Sequence, residues 1–185
     1  SVLGMNTFTY TVDTNFGRTI MDIQNNNAAD RDVILLGKVD NRFGTTKIKN
    51  AGGDILTDPA AKFYSRVIDL LANGANSSIG RGPGQRFNVN LGMDDPNFIA
   101  TIARANGNLG VFLGVNPFAS HGVAAMKMDV VEIRSASGDI DVDFAEGLRS
   151  VLAWVNQVTL KNNTVFTGLR IDDSFNPQTS INANT

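Results

Sequence analysis

The sequence of 185 residues contains no cysteine, one histidine and one tryptophan. Without cysteine, the chain can form neither a disulfide framework nor a thiolate metal site. A zinc site would depend on one imidazole and carboxylates, which is a poor donor set for that ion. The absence of cysteine is compatible with the cytoplasm, with a particle assembled there, or with a secreted protein without disulfides, and it does not choose among them.

Charged residues and long apolar runs are also scarce. The charged fraction is 18%, and the net charge is −2. Lysine and arginine are scattered singly, so the sequence lacks the basic stripe that phosphate neutralisation requires, and no specific nucleic-acid site is predicted. No apolar run approaches the length needed to cross a bilayer, and no signal peptide is recognised, so no transmembrane segment is predicted. Whether a leader was removed before Ser1 stays open.

Apolar residues and neutral polar residues make up most of the chain. The apolar fraction of 42% is enough for a sizeable core, while 21 asparagines and 18 glycines favour turns and uncharged hydrogen-bonding surfaces. No linker divides the sequence. We therefore predict a single domain over residues 1–173, followed by a polar arm over residues 174–185.

Several short segments alternate apolar and polar residues, as half-buried strands do. In Thr7–Val12, for example, Phe8, Tyr10 and Val12 share one face. Gly147–Leu160 fits either a helix or a strand, and its valines and threonines favour a strand. The other predicted strands are Ile20–Ile23, Val33–Val39, Arg86–Leu91, Leu109–Val115, Val123–Ile133, Ile140–Phe144 and Thr164–Ile171.

The polar patch NNNAADRD separates the second and third of these strands. Its asparagines and aspartates tolerate tight turns and bond to their own backbone. We interpret the patch as a hairpin loop, with a binding loop as the alternative.

One segment, Pro59–Asn73, has the signals of a helix. Asp58 suits the N-cap, proline suits the first helical position, and Gly74 suits the end. Four apolar residues recur at helical spacing and would form the buried face: Phe63, Val67, Leu70 and Leu71. We predict that this face packs against a sheet.

A second, shorter helix is predicted to begin at Pro96, after an N-cap at Asp95, and to end at Asn106–Gly107. Many short strands with two helices in the connections are typical of an antiparallel β-sandwich, jelly roll or barrel. The strands do not alternate regularly with helices, which disfavours a doubly wound parallel sheet. The predicted fold is therefore a mainly β, antiparallel β-sandwich or jelly roll with one clear and one short helix.

Hydrolytic chemistry finds little support in the sequence. His121 follows Ser120, but adjacency along the chain is not the geometry of a triad, and no G-x-S-x-G motif is present. A pair of carboxylates for glycoside hydrolysis could be drawn from several residues, but their spacing along the chain selects no pair. These residues are Asp94, Asp95, Asp129, Glu132, Asp172 and Asp173. Trp154 has apolar neighbours that predict burial. We predict no catalytic residue and no enzyme.

The segment DIDVDFAE is the strongest candidate for a cation site. Asp139, Asp141 and Asp143 alternate, which predicts one solvent-facing carboxylate row that Glu146 could approach. The calcium-loop pattern also requires glycine at its sixth position and an acidic residue at its twelfth, where this sequence has Phe144 and Ser150. A solvated strand face is the favoured interpretation, and no metal or other cofactor is predicted.

The GRGPG segment, Gly80–Gly84, could cradle a phosphate only if it led into a helix N-terminus. It leads instead into the strand RFNVNL, so we interpret it as a flexible loop. The asparagines of two glycosylation sequons, Asn76 and Asn162, would matter only in a eukaryotic secretory setting.

The segment Thr19–Gly37, in which a strand ends in asparagines and DVILLG follows, resembles part of a known fold. Together with a helix inside a β-sandwich, it is similar to viral single jelly-roll capsid proteins, particularly those of bacteriophages. The resemblance covers about half of the chain. It implies a coat protein of the virion whose partners are copies of itself and other particle proteins, with NNNAADRD at an interface or rim.

Two other functions remain open. A secreted or cell-surface filament or adhesin subunit would share the low charge and the polar ends. A carbohydrate-binding module or glycan-active enzyme would show exposed aromatic residues or a carboxylate pair in a cleft.

Overall fold

The computed structural model describes the backbone of residues 7–13, 18–91, 99–117, 125–144, 152–155, 158–162, 169–172 and 181–184. These residues form seventeen β-strands and contain no helix. The strands are β1 (Thr7–Asp13), β2 (Arg18–Asn25), β3 (Val33–Leu35), β4 (Lys38–Asn50), β5 (Ile55–Thr57), β6 (Lys62–Ala72), β7 (Ser78–Ile79), β8 (Phe87–Leu91), β9 (Ile99–Gly107), β10 (Gly110–Pro117), β11 (Ala125–Val130), β12 (Ile133–Ser135), β13 (Asp139–Phe144), β14 (Leu152–Val155), β15 (Val158–Asn162), β16 (Leu169–Asp172) and β17 (Ile181–Asn184).

The chain winds as a parallel β-solenoid. β1 and β2 form an antiparallel pair, and every other described pairing is parallel. On one face, β2 pairs with β4, β4 with β6, β6 with β9, and β9 with β11 and β12. Each turn of the chain therefore adds one rung to the sheet and contacts mainly the rungs before and after it.

The core is built from columns of side chains at equivalent positions in successive rungs. Two of these columns are aliphatic over five rungs, and their members are Ile23, Ile48, Leu70, Ala105 and Ile133 on one face and Val33, Ile55, Ile79, Val111 and Ile140 on another. The rings of Phe63 and Phe87 meet edge to face, with centroids 5.6 Å apart. Stacked β-branched and aromatic residues suit a pleated, buried surface, which explains why this sequence holds so many short strands.

The predicted antiparallel sandwich or jelly roll is wrong. Alternation along a strand depends on which face is buried, and it is the same for a parallel and an antiparallel neighbour. The predicted strands Thr7–Val12, Ile20–Ile23, Leu109–Val115 and Ile140–Phe144 are present, and so is Arg86–Leu91, with Phe87, Val89 and Leu91 buried. What the alternation did not reveal was how these strands pair.

The predicted helix Pro59–Asn73 is also wrong, because Lys62–Ala72 is strand β6. The buried residues are Phe63 and Ser65 and then Ile68, Leu70 and Ala72. β6 crosses from one face of the solenoid to the next at Arg66 and Val67, two successive residues that are only partly buried. The buried positions therefore shift from odd-numbered to even-numbered residues at this crossing. A strand with such a shift can show the three- and four-residue spacing of apolar side chains that is typical of a helix.

The second predicted helix fails for the same reason. Its described part lies in strand β9, where Ala100 and Ile102 are buried, and then Ala105 and Gly107. Ala103 and Arg104 are two successive partly buried residues, and the alternation of buried positions shifts by one residue there. The pairing of β9 with β6 also shifts in register nearby, between Ile68 and Asp69 of β6. Both predicted helices are therefore strands with one irregularity each.

Other predicted boundaries move. Val33–Val39 is interrupted at Leu36 and Gly37, where Gly37 adopts a left-handed φ of 68° that favours glycine. Val123–Ile133 is interrupted at residues 131–132. The ambiguous segment 147–160 contains β14 and the start of β15, and Thr164–Ile171 contains the start of β16. Near the C-terminus, β17 pairs in parallel with β15.

Candidate functional site

The patch NNNAADRD is a corner of the solenoid and not a hairpin loop. β2 before it pairs in parallel with β4, and β3 after it pairs in parallel with β5. Its first residue, Asn25, is buried at the end of β2, opposite Asn50 in the next rung. The Nδ2 atom of Asn25 donates to the Oδ1 atom of Asn50 at 2.9 Å. The patch therefore holds two rungs together at this corner.

Asn50 uses all of its hydrogen-bonding capacity in this corner, where it is fully buried. Its Nδ2 atom donates to the carbonyl oxygens of Arg31 at 2.9 Å and Asp54 at 2.8 Å. Its Oδ1 atom accepts from the backbone N–H of Gly52 at 3.2 Å as well as from Asn25. One side chain thus satisfies backbone groups of two adjacent corners, which makes its role structural.

The GRGPG segment supplies an ion pair to the same side of the solenoid. The Nε atom of Arg81 donates to Asp54 at 2.7 Å, and its Nη2 atom contacts Asp32. The hydrogen bond that Arg81 donates to Asp54 is the main cause that raises the pKa of Arg81 above its ordinary value, and the charge of Asp32 adds to it. Asp54 also accepts from the backbone N–H and the hydroxyl of Ser78, at 2.7 and 2.9 Å. The segment is therefore anchored to the solenoid on its N-terminal side.

The acidic row Asp139, Asp141 and Asp143 is not a uniformly solvated face. Asp139 is exposed, but only 6% of Asp141 is accessible. The Nη2 atom of Arg86 contacts Asp141 at 3.1 Å, and its Nη1 atom contacts Asp143 at 3.5 Å. Arg86 therefore forms ion pairs with two of the three carboxylates that alternation had assigned to solvent. Within the described residues, no group of three or more metal-ligating side chains comes together.

An aromatic residue lies among cations on the face formed by the first halves of β4 and β6. The Nζ atom of Lys38 lies 5.9 Å from the ring centroid of Tyr64, and the Cζ atom of Arg42 lies 5.1 Å from it. Both cations also contact Asp40, Lys38 at 3.1 Å and Arg42 at 2.6 Å. The hydrogen bond from Arg42 is the main cause that holds the pKa of Asp40 well below its ordinary range.

A groove of about 200 Å³ lies on the outer surface of β2, β4, β6 and β9. It is lined by Asp22, Gln24, Lys47, Ile48, Lys49, Asp69 and Arg104. We call it the outer groove. The side chain of Ile48 points into the core, so its main chain forms part of the floor.

The sheet register arranges the residues of the outer groove in two rows. Asp22, Lys47, Asp69 and Arg104 occupy equivalent positions in four successive strands. Gln24 and Lys49 form the second row, two residues further along β2 and β4. Four strands span about 14 Å at a spacing of about 4.8 Å. The outer groove is thus a line of alternating negative and positive side chains with a polar flank.

Sequence reasoning did not find the outer groove, because its residues come from four segments far apart along the chain. The local signals are the alternations DIQ in β2 and KIK in β4, where polar residues flank an isoleucine that points inward. These signals predict two polar rows on a strand but not which strands lie side by side.

Several candidates from the sequence cannot be placed. Ser120, His121 and Glu146 lie outside the described residues. Trp154 belongs to β14, but its side chain is outside the described part of the structure. The expectation that the chain contains no catalytic residue therefore stays a prediction.

Comparison of the chain with protein-family models, with curated proteins and with solved structures finds no match. In the described ranges, no helix has the length and apolar character needed to cross a membrane.

Proposed function

We propose that the chain is a non-enzymatic structural module of a filament or surface fibre, of the adhesin type, located outside the cell or at its surface. The observation that carries this proposal is the parallel solenoid, in which each rung offers the next one the same set of backbone groups. Among the described residues, β3 pairs only with β5, and Lys38–Asn41 of β4 pairs only with β6. An unpaired strand edge is a template for another chain.

The state of the charged side chains supports a structural role. Asp32 and Asp54 both form ion pairs with Arg81, while Asp141 and Asp143 both form ion pairs with Arg86. A general acid needs a proton near neutral pH, and a nucleophile needs access to substrate. Carboxylates that form ion pairs with a guanidinium at a corner of the fold are occupied by that contact, which favours a structural role over contact with a substrate.

The proposal replaces the predicted virion coat protein. That prediction rested on an order of elements that included a helix inside a β-sandwich, and the chain has a different architecture. The filament or adhesin alternative needs no sandwich. It needs a fold that can extend along one axis, which a solenoid provides.

A carbohydrate-binding module is a second candidate, favoured by the outer groove. A flat sheet face with polar side chains at fixed spacing can contact a polymer over several rungs. Both candidates can hold for one chain, since the outer groove lies on the side of the solenoid, whereas the strand edges that have no partner among the described residues lie at its first rungs.

The filament proposal is tested by the state of association in solution. The intact chain should form elongated assemblies as its concentration rises, measured by sedimentation velocity and electron microscopy. Ile34→Lys should reduce assembly, because Ile34 lies on β3 with 49% of its surface exposed and a lysine on an edge strand opposes pairing.

The matched control is Val131→Lys. Val131 is an aliphatic residue with 57% exposure, but it lies between β11 and β12 in the middle of the stack. This variant should assemble as the intact chain does. A chain that stays monomeric at high concentration, or that responds equally to both substitutions, would remove the support for a filament.

A further inference from the structure

We propose that the outer groove binds an anionic polysaccharide, whose carboxylate or sulfate groups contact Lys47 and Lys49. This inference rests on the second candidate function, binding of a carbohydrate by the side of the solenoid, and does not depend on assembly into filaments.

Several charged groups of the outer groove already have partners within it. The Nε atom of Arg104 donates to the carboxylate of Asp69 at 2.6 Å. The Nε2 atom of Gln24 lies 3.2 Å from both carboxylate oxygens of Asp22. Arg104 and Asp69 thus neutralise each other, and Asp22 has a neutral donor from its own strand.

The two lysines differ from these residues. Neither Lys47 nor Lys49 forms an ion pair with any residue in the described ranges. Their side chains leave β4 on the same outer face, two residues apart, with Lys47 exposed and Lys49 half-buried. Successive outward positions of a strand lie about 7 Å apart, so the two lysine side chains leave the sheet side by side on one face.

The polar groups of the outer groove indicate the class of ligand. The outer groove adds two carboxylates and an amide to the lysine pair, and these groups accept hydrogen bonds from hydroxyls. A polymer that carries both hydroxyls and negative groups matches this mixture. Duplex DNA matches it poorly, because DNA binding relies on many cations and the chain has a net charge of −2. The line of side chains across four rungs favours a polymer over a single small ion.

The test uses the full-length chain and three polymers with one backbone: dextran, carboxymethyl-dextran and dextran sulfate. Titration calorimetry should show binding to at least one anionic polymer and none to dextran at the same concentration. The carboxymethyl and sulfate arms distinguish which anionic group is preferred. Binding should weaken as salt is raised from low to physiological ionic strength, because the contacts are exposed to solvent.

The variants Lys47→Gln and Lys49→Gln should each weaken binding about fivefold, the effect of one exposed ion contact at close range. The double variant should weaken it by at least tenfold. Asp22→Asn should strengthen binding of the anionic polymers, since it removes a like charge from the outer groove. The matched control is Lys62→Gln, which removes an exposed positive charge at the start of β6, outside the lining of the outer groove, and should leave binding unchanged.

Thermal unfolding of each variant shows whether the fold is intact, and Asp22→Asn offers a gain of binding that misfolding cannot produce. Equal binding to dextran, equal loss in Lys62→Gln, or tighter binding to a duplex DNA of similar charge would each overturn the inference. Sedimentation of the same samples separates this result from the filament proposal, since the double lysine variant should assemble as the intact chain does.

Discussion

At the scale of single residues, buried asparagine side chains link successive rungs of this chain, a role that the turn propensity of asparagine does not predict. Asn25 and Asn50 stack across two rungs and are buried, whereas Asn26 and Asn27 of the same patch are exposed. Composition predicted asparagine in turns, whereas Asn25 and Asn50 lie at the ends of strands β2 and β4. It could not distinguish the buried member of the run, because burial of Asn25 depends on a residue in the next turn of the chain.

Asn50→Ala should lower the free energy of unfolding by about 3 kcal/mol or more, because it leaves buried donors and acceptors without partners. Asn27→Ala is the matched control, since Asn27 is exposed and accepts one bond, from the backbone N–H of Ala29 at 2.9 Å. That variant should change stability by about 0.5 kcal/mol or less. Chemical denaturation of both variants checks the difference, and similar losses would show that the stacked pair does not hold the corner.

At the scale of elements, the sequence revealed where strands lie more reliably than where helices lie. Arg86–Leu91 alternates without interruption, and its inward residues were predicted correctly. Pro59–Asn73 has proline and an N-cap at its start, yet Asp58 and Pro59 belong to a corner before β6. Local signals of a helix start are the same as those of a turn, because Asp and Pro suit both.

The pair Leu70 and Leu71 distinguishes the strand from the predicted helix. Leu70→Ala should cost about 2–5 kcal/mol, because Leu70 is fully buried in an aliphatic column. Leu71 points outward and is half-buried, so Leu71→Ala should cost about 1 kcal/mol or less. The helix would have placed both leucines on one buried face. Equal, large losses in equilibrium unfolding would therefore contradict the described strand β6.

At the scale of the whole molecule, the parallel stacking could not be predicted from this sequence. Solenoids are usually recognised by a fixed repeat. Here the rungs differ in length, since Asn50 lies opposite Ala72 while Ala72 lies opposite Gly107. The unequal lengths hide the period. The outer groove was missed for the same reason, because it exists only once the rungs are aligned.

Hydrogen exchange should follow position in the stack. β6 is paired on both sides, with β4 before it and with β8 and β9 after it, so its amides should exchange slowest. Amides of β3 should exchange faster, since among the described strands β3 pairs only with β5. Local opening of a solenoid begins at its ends. Mass spectrometry of exchanged peptides measures this, and uniform protection across both strands would argue against nearest-neighbour stability.

The corner at Gly80–Gly84 has a practical consequence for engineering. On its N-terminal side Arg81 forms an ion pair with Asp54, and on its C-terminal side Arg86 forms an ion pair with Asp141. Between these anchors, a methyl group added at Gly84 would meet no atom within 4 Å, and Gly82 likewise faces open space but has a φ of 139° that favours glycine. A foreign epitope grafted between Gly82 and Gly84 would therefore be presented to antibodies from two fixed points on a rigid frame. If the module forms fibres, each copy would carry one such epitope, and the fibre would become a multivalent display particle.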